Sequence, residues 1–558
     1  NLTLDSTGTL NIGAGSPIAG AVKAEINGNV DITNGGSVTL NQGDTLGRTI
    51  GLGDGGIFTV DGIALDASGG KVTQTGGALN INNGAKFTTD NSLTGGTVTV
   101  NSSSELELSN TGNIDITSTI SSADGTSKIT QSGSGTTTYA NDVSSFVGQY
   151  VQTDGVAEFS NAFFGGNSTL ENGTINLNEG SSMVNSAVLA LGNTASVNIS
   201  VADGDNKNFN NFTDIAGMTS PSGAVINAGG DGTMILSGDN SGYTGQFIYN
   251  GKILEVAENT KLFGTDSITD IQSGEMNINN YVSTSEGSTL KIASGANVNI
   301  NNSTGIFDLK SDLEGDGDIN KNQDGDLIFS GDHSQFNGNT NINSSGNITF
   351  VNGMFGNLNF NDVEGKTIGI IADNIQGAIN QTKNATVSYT TINDIDLIFN
   401  NEVNVSAGTF NAIAKAGRDV YFNDDVEVTG GTMGVYGNNA NFESSAVVEN
   451  AYLYSFAQSR KFNGLGIDKG NLIIANNGFS VANTMASTGT VDIMNGVIAN
   501  NTIGGDFYTI GGETSNFKID ISPRNKTSDT TTIDGSILNY GTLQGTINIS
   551  DFQFIGKA

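Results

Sequence analysis

The chain has 558 residues, of which 36% are apolar and 14% charged, and its net charge is −34. Single cores stop growing above roughly 250–300 residues, so a repetitive fold that adds coils to one core is favoured. The absence of cysteine excludes disulfides, thiolate metal sites and cysteine nucleophiles. The acidic balance disfavours electrostatic binding to nucleic acid or to an anionic membrane.

A short strand-like unit recurs from residue 1 to about 115. It reads apolar-x-apolar, then Asn or Gly and a small residue, and its starts recur at a nearly constant step, as from Leu10 to Val30 or from Leu79 to Val98. Alternation with a period of two predicts strands, and Asn-Gly and Gly-Gly pairs predict the turns between them. A recurrence at this step predicts one coil of a β-solenoid, with alternate residues facing inward and stacking on the next coil. Stacked Asn and Thr side chains are expected to add hydrogen bonds.

A longer signature occurs three times, at about 125–160, 225–257 and 315–351. A glycine opens each copy, an aromatic residue follows eleven positions later, and a second glycine lies two positions after the aromatic. The residues are Gly135, Phe146 and Gly148; Gly232, Tyr243 and Gly245; and Gly325, Phe336 and Gly338. Glycine spacing and one aromatic are geometric features, so we interpret each copy as a folding unit that sets the register of the coils.

The second copy also contains Ser237-Gly238-Asp239-Asn240 ahead of Tyr243-Thr244-Gly245. This pattern resembles the passenger-associated repeat of bacterial type V autotransporters. The third copy has Phe336 in place of Tyr, and the first departs further, with Tyr139-Ala140-Asn141-Asp142 in place of Leu-Ser-Gly. The resemblance implies a right-handed parallel β-helix that is exported across the outer membrane and displayed at the bacterial surface or secreted. It also implies an outer-membrane barrel in the precursor, which is absent from this sequence.

The predicted fold is all-β, a single long parallel β-solenoid. Residues 1–360 are predicted to form regular coils that contain the three repeats, and 361–460 less regular coils. Residues 461–558 are predicted to form the C-terminal coils of a chain that ends as a fragment.

The residues that could belong to catalytic or cofactor-binding motifs are better explained by structural roles. His333 is the only histidine, and the equivalent positions of the other copies hold Val143 and Asn240, so a structural or solvent-facing role is favoured over a catalytic one. Gly51-Leu52-Gly53-Asp54-Gly55-Gly56 fits a dinucleotide fingerprint, but the strand-like Ile57–Val60 follows where a helix is required. No catalytic or cofactor-binding residue is therefore predicted.

Acidic residues with glycines between them precede the third aromatic. Calcium prefers such hard oxygen ligands, but an EF-hand loop from Asp316 needs Gly and Glu where Lys321 and Leu327 stand. We expect solvated turn carboxylates and no dedicated metal site, with adventitious calcium as the alternative. The residues concerned are Glu314, Asp316, Asp318, Asp324 and Asp326.

Two further patterns leave alternatives open. Asp424-Asp425 and the acidic residues from Glu314 to Asp326 are formal candidates for the paired carboxylates of a glycan-cleaving β-helix, but one His and no Trp disfavour such a site. Tyr452-Leu453-Tyr454-Ser455-Phe456 places three aromatics on one strand face, either as a core stack, which we favour, or as an outward adhesive patch. Val420-Tyr421-Phe422 has the same two interpretations.

The predicted function is that of a non-enzymatic adhesin or self-associating rod. Its expected partners are a receptor on a host or bacterial cell, or further copies of itself, and not nucleic acid. One alternative is a structural subunit of an extracellular filament or surface layer. A glycan-active β-helix enzyme is the third alternative.

Overall fold

The computed structural model describes residues 49–184, 186–455 and 457 in full, and elsewhere only strand segments. No helix occurs among the described residues, and none therefore has the length and hydropathy needed to span a membrane. The chain divides into an N-terminal unit, Asn1–Lys291, and a C-terminal unit, Ile292–Ala558.

The N-terminal unit is built of short strands. They are Leu2–Leu4, Thr9–Ile12, Val30–Ile32, Ser37–Leu40, Ile50–Leu52, Ile57–Asp61, Ala64–Asp66, Val72–Gln74, Ala78–Asn82, Lys86–Thr89, Thr97–Val100, Glu105–Leu108, Ile114–Ile116, Thr119–Ser122, Lys128–Gln131, Thr136–Tyr139, Gln149–Gln152, Val156–Phe159, Ser168–Leu177, Leu189–Ser200, Asn206–Asn210, Phe212–Asp214, Val225–Gly229, Thr233–Ser237, Gln246–Tyr249, Ile253–Val256, Ile268–Ile271, Glu275–Ile278 and, at its end, Thr289–Ile292.

These strands stack in parallel on the equivalent strands of the neighbouring coils. Lys86–Thr89 pairs residue by residue with Glu105–Leu108, which pairs in the same way with Lys128–Gln131. The ladder continues to Gln149–Gln152. Since every pairing is parallel and joins successive coils, the unit is a β-solenoid.

The C-terminal unit has the same construction. Its strands are Asn297–Ile300, Ile306–Leu309, Asp312–Gly315, Asp318–Lys321, Asp326–Phe329, Gln335–Phe336, Asn339–Ile342, Gly346–Phe350, Asn357–Phe360, Thr367–Ala372, Asn374–Ile375, Ile379–Gln381, Thr386–Thr390, Leu397–Phe399, Val403–Val405, Thr409–Ile413, Val420–Phe422, Val426–Val428, Thr432–Tyr436, Asn439–Glu449, Tyr452–Ser455, Ser459–Ile474, Phe479–Asn495, Asn501–Gly504, Phe507–Thr509, Ser515–Pro523, Thr531–Asp534, Ile537–Asn539 and Leu543–Ile549.

A coil of this unit can contribute three strands, one to each of three stacked parallel ladders. Leu397–Phe399 pairs with Val420–Phe422 of the next coil. The other two strands of the same coil, Val403–Val405 and Thr409–Ile413, pair in the same order with the other two strands of the next coil. The predicted all-β, parallel solenoid is therefore confirmed. Right-handed winding and the boundaries near 360 and 460 stay predictions.

In the strands between Ile50 and Ser455, side chains that alternate along the strand mostly face inward and stack in columns. Phe329 lies on Phe350 with ring centroids 4.7 Å apart, and Phe399, Phe422 and Phe442 stack with centroids 4.8 Å apart. These distances match the interstrand spacing of about 4.8 Å, because each ring occupies the same position in the next coil. The core is thus a set of apolar columns along the direction of stacking.

A few polar side chains also face inward, at the ends of strands where the chain turns a corner. Gln381 donates from Nε2 to the carbonyls of Ala385, Ala407 and Thr409 at 3.0–3.3 Å. A buried carbonyl without a hydrogen-bond donor is destabilising. These side chains therefore donate to the backbone carbonyls at the corners of the coils, which we call corner groups and which strand pairing does not satisfy.

Candidate functional site

The repeat-defining aromatics are core residues, and the glycine two positions after each one lies against its ring. Phe146 and Tyr243 are fully buried, and Phe336 is 2% exposed. A Cβ on Gly148 would lie 2.7 Å from the Phe146 ring, and a Cβ on Gly338 would lie 2.9 Å from the Phe336 ring. Gly245 meets the Tyr243 ring in the same way, at 2.7 Å. Each of these glycines also lies against a carbonyl oxygen of the preceding coil, so packing against both the ring and that carbonyl requires glycine there.

The opening glycines lie against the preceding coil. A Cβ on Gly135 or Gly232 would collide with the carbonyl oxygen of Gly112 or Ala202, respectively. On Gly325 it would collide with the side-chain amide of Asn302. The structure thus places these residues in contacts between coils, and their role in setting register stays a prediction.

All three copies share one further turn that sequence comparison missed. An aspartate lies four residues before the aromatic, and its side chain accepts a hydrogen bond at 2.8–3.1 Å from the backbone N–H of the residue two positions after the aspartate. The backbone N–H of the aromatic residue donates at 3.0 Å to the carbonyl of the residue that follows the aspartate. The turns are Asp142-Val143-Ser144, Asp239-Asn240-Ser241 and Asp332-His333-Ser334. The signal was present as Asp-x-Ser at a constant distance from the aromatic.

His333 is the middle residue of the third of these turns and is part of the core. It is 2% exposed, and its ring contacts Phe329 edge to face with centroids 5.4 Å apart. Burial lowers the pKa of His333 to about 4, although the nearby carboxylates of Asp332 and Asp312 act in the opposite direction. Since Val143 and Asn240 are also buried at the equivalent positions, the structural interpretation of His333 is supported.

The acidic residues before the third aromatic are spread along the coils. Asp324 accepts from the backbone N–H of Ser345 at 3.0 Å, and Asp326 accepts from that of Asn347 at 2.7 Å. Hydrogen bonds from the side chain and then from the backbone N–H of Ser345 lower the pKa of Asp324. Within the described part of the chain, no group of three or more His, Asp or Glu side chains is placed to hold a metal ion.

The other motifs also lie in turns. A strand, Ile57–Asp61, follows the Gly51–Gly56 segment as predicted. Asp425 accepts from the Ser444 hydroxyl at 2.6 Å, and this bond lowers the pKa of Asp425. Its neighbour Asp424 accepts from the backbone N–H of Asp425 at 2.9 Å.

The tyrosines of Tyr452–Ser455 face outward, so the core interpretation was wrong. Tyr452 is 44% exposed and Tyr454 is partly exposed, whereas Leu453 and Ser455 between and beyond them are fully buried. Leucine and serine take the inward positions because the register aligns Leu453 with the buried Met433 of the preceding coil. Phe456 lies outside the described residues.

Tyr421 departs from the core interpretation in the same way. Val420 and Phe422 are buried, but Tyr421 is partly exposed and donates from its hydroxyl to Asp419 at 3.3 Å. Both tyrosine patterns therefore alternate as strands, with the tyrosines on the outer face.

A ladder of asparagines lies on one outer face of the C-terminal unit. Each side-chain Nδ2 donates to the Oδ1 of the asparagine one coil earlier, at 2.8–3.2 Å, and the residues are 18–24 positions apart in the chain. The ladder consists of Asn299, Asn320, Asn341, Asn359, Asn380 and Asn404. All six are partly exposed.

Shorter columns flank this ladder on both sides. Asn339 donates to Asp318 at 2.8 Å, and Asn357 donates to Asn339 at 3.2 Å. On the other side, Asn343 donates to Asn322 at 2.8 Å. We call the ladder together with these flanking residues the amide face. Asn299, Asn359 and Asn404 lie between two apolar residues in the sequence, whereas the other three members do not. Only the register shows that all six align.

Lys321 lies one residue from the ladder but points inward. It is 1% exposed, and its ammonium donates to the carbonyl of Gln323 at 2.7 Å, to the hydroxyl of Ser344 at 2.9 Å and to the carbonyl of Ser345. Burial lowers the pKa of Lys321 to about 8, while nearby Asp324 and Asp326 act in the opposite direction. Its role is that of Gln381, namely to satisfy corner groups.

Comparison with known proteins adds no identification. No protein-family model matches the chain, and a search of curated proteins found no significant match.

Proposed function

We propose that the chain is a non-enzymatic adhesive protein, displayed at a bacterial cell surface or secreted, that binds its target through many weak contacts along the amide face. The observation that carries this proposal is the ladder itself. It presents the same functional group at the same position of six successive coils.

Repetition supports adhesion because weak contacts add when they are linked. A single hydrogen bond contributes only about 0.5–1.5 kcal/mol net, but linked contacts can raise affinity 10²- to 10⁴-fold. The backbone ladder fixes the spacing of the amides, so little conformational entropy is lost when a target binds. Surface display itself follows from the resemblance of the three repeats to autotransporter passengers.

The test uses the full chain on beads, with adhesion measured to an epithelial monolayer and to bacterial cells. Asn320→Ser, Asn359→Ser and Asn380→Ser shorten the side chains and interrupt the ladder. We expect adhesion to fall stepwise from one to three substitutions. Asn198→Ser, in a three-residue ladder of the N-terminal unit, is the matched control and should adhere as the unchanged protein does.

Far-UV circular dichroism would first establish that the triple variant keeps its strand content. A folded triple variant that adheres like the unchanged protein contradicts the proposal. Loss of adhesion by the Asn198→Ser control alone would place the contact elsewhere and would contradict it as well.

A further inference from the structure

We infer that the ligand of the amide face is an extended, uncharged polysaccharide. This inference rests on the proposed adhesive function and names the class of target. Three properties of the amide face support it: its hydrogen-bonding groups, its charge and its spacing.

Three of the ladder asparagines use only half of their hydrogen-bonding groups within the ladder. A carboxamide has two N–H donors and an oxygen with two lone pairs. Asn320, Asn359 and Asn380 each donate once to the preceding coil and accept once from the following coil. Each therefore offers one more donor and one more acceptor. A hydroxyl both donates and accepts, so a polyhydroxylated chain is complementary to such a row.

The charge of the face selects an uncharged ligand. The ladder consists of carboxamides, and Asp318 is the carboxylate in the flanking columns described above. A cationic partner would be recognised by rows of carboxylates rather than by neutral amides. A polyanion would be repelled by a chain whose net charge is −34.

The column of outward side chains that contains the ladder becomes acidic at one end. The residue in register with Asn404 on the next coil is Glu427. The neutral row therefore ends at Asn404.

The spacing of the face suits a polymer with a short repeat. Neighbouring coils place equivalent amides about 4.8 Å apart, which is close to the length of one sugar unit in an extended β-1,4-linked chain. The N-terminal unit has a shorter row of neutral amides. Its ladder of Asn176, Asn198 and Asn227 has three members, and Asn176 contacts Glu158 at one end. The six-member ladder is thus the better match for a polymer.

Calorimetry with the purified full chain tests the inference. The probes are cellohexaose and chitohexaose, their disaccharides, and hexagalacturonate as the acidic counterpart. We expect at least one neutral hexasaccharide to bind ten times more tightly than its disaccharide and than hexagalacturonate. Asn320→Ser, Asn359→Ser and Asn380→Ser together should weaken this binding at least tenfold, and Asn198→Ser should not.

A second set of variants keeps the test valid if the serine variants misfold. Asn320→Asp, Asn359→Asp and Asn380→Asp keep the side-chain shape but remove the N–H donors, and should also weaken binding tenfold. The inference is overturned if neither neutral hexasaccharide binds, if hexagalacturonate binds more tightly, or if both variant sets bind as the unchanged protein does. It is also overturned if sedimentation shows self-association that the serine variants abolish, since the face would then bind a second copy.

The two proposals can fail separately. Adhesion that depends on the ladder without any glycan binding would refute the polysaccharide and retain the adhesive function. Adhesion that ignores the ladder would refute both.

Discussion

The inward and outward positions of the same strands in the C-terminal unit make contrasting use of polar side chains. In Asp318–Lys321, the inward Lys321 is 1% exposed and donates its hydrogen bonds to corner groups, whereas the adjacent Asn320 faces outward in a ladder. His333 also belongs to the inward set. These two ionisable residues therefore lie in the core, and the asparagines form the outward row to which we assign binding. A residue type that is rare in the sequence is therefore a poor guide to a functional site in this fold, because buried backbone groups at the corners of the coils also need polar partners.

The largest effect on the free energy of unfolding should come from a substitution at Gly338, which packs against the aromatic ring of the third repeat. We expect Gly338→Ala to destabilise the protein by about 3 kcal/mol, because the new Cβ collides with the Gly317 carbonyl and the Phe336 ring. Denaturant unfolding measures this loss. Gly112→Ala is the control, since a Cβ there meets no atom within 4 Å. Equal stability of the two variants would show that the aromatic-x-Gly spacing is not required by packing.

The second effect concerns the inward lysine. Lys321→Met should cost about 2 kcal/mol, because the carbonyls of Gln323 and Ser345 lose their donor. Lys310→Met, at an exposed position, should change stability little.

The pH dependence of stability provides a separate signature of Lys321. Its folded pKa of about 8 lies below the ordinary value of 10.5, so the unfolded chain binds more protons between these values. Stability should therefore rise as pH increases from 8 to 10.5. This rise should disappear in Lys321→Met, and an unchanged pH profile would argue that the ammonium is not buried in solution.

The third effect is the acid response of His333. Its folded pKa of about 4 lies below the ordinary 6.5, so its contribution to stability is present above pH 6.5 and is lost as pH falls towards 4. His333→Asn introduces the residue that the second repeat holds at this position, Asn240. The variant should lose about 2 kcal/mol less than the unchanged protein between pH 7 and 5. Melting temperatures at both pH values test this, and parallel losses would contradict it.

The smallest effect on stability should come from the outward ladder. Asn359→Ser removes one bond to Asn341 and one from Asn380, both at the surface, and should cost about 0.5–1 kcal/mol. Unfolding of Asn359→Ser beside Asn337→Ser, an exposed turn asparagine, measures this cost. A loss as large as that of Gly338→Ala would make the ladder part of the structural framework and would remove the contrast between the two faces.

The sequence by itself determined the strands, the coil length and the parallel solenoid. Alternation with a period of two is a local property, and the regular recurrence of the strand-like unit is visible without coordinates. The constant spacing around Phe146, Tyr243 and Phe336 likewise marked the contacts between coils. Each of these features follows from backbone geometry that nearby residues impose on one another.

Only the tertiary structure decided which polar and aromatic residues face outward and which of them align. In Tyr452–Ser455 both alternating sets hold residues that tolerate burial, and the register with the preceding coil places the tyrosines outside. Lys321 and Asn320 each have a hydrogen-bond partner that lies a whole coil away in the chain. The physical reason is that inward and outward positions, and the columns they form, depend on stacking between coils, which no local pattern specifies.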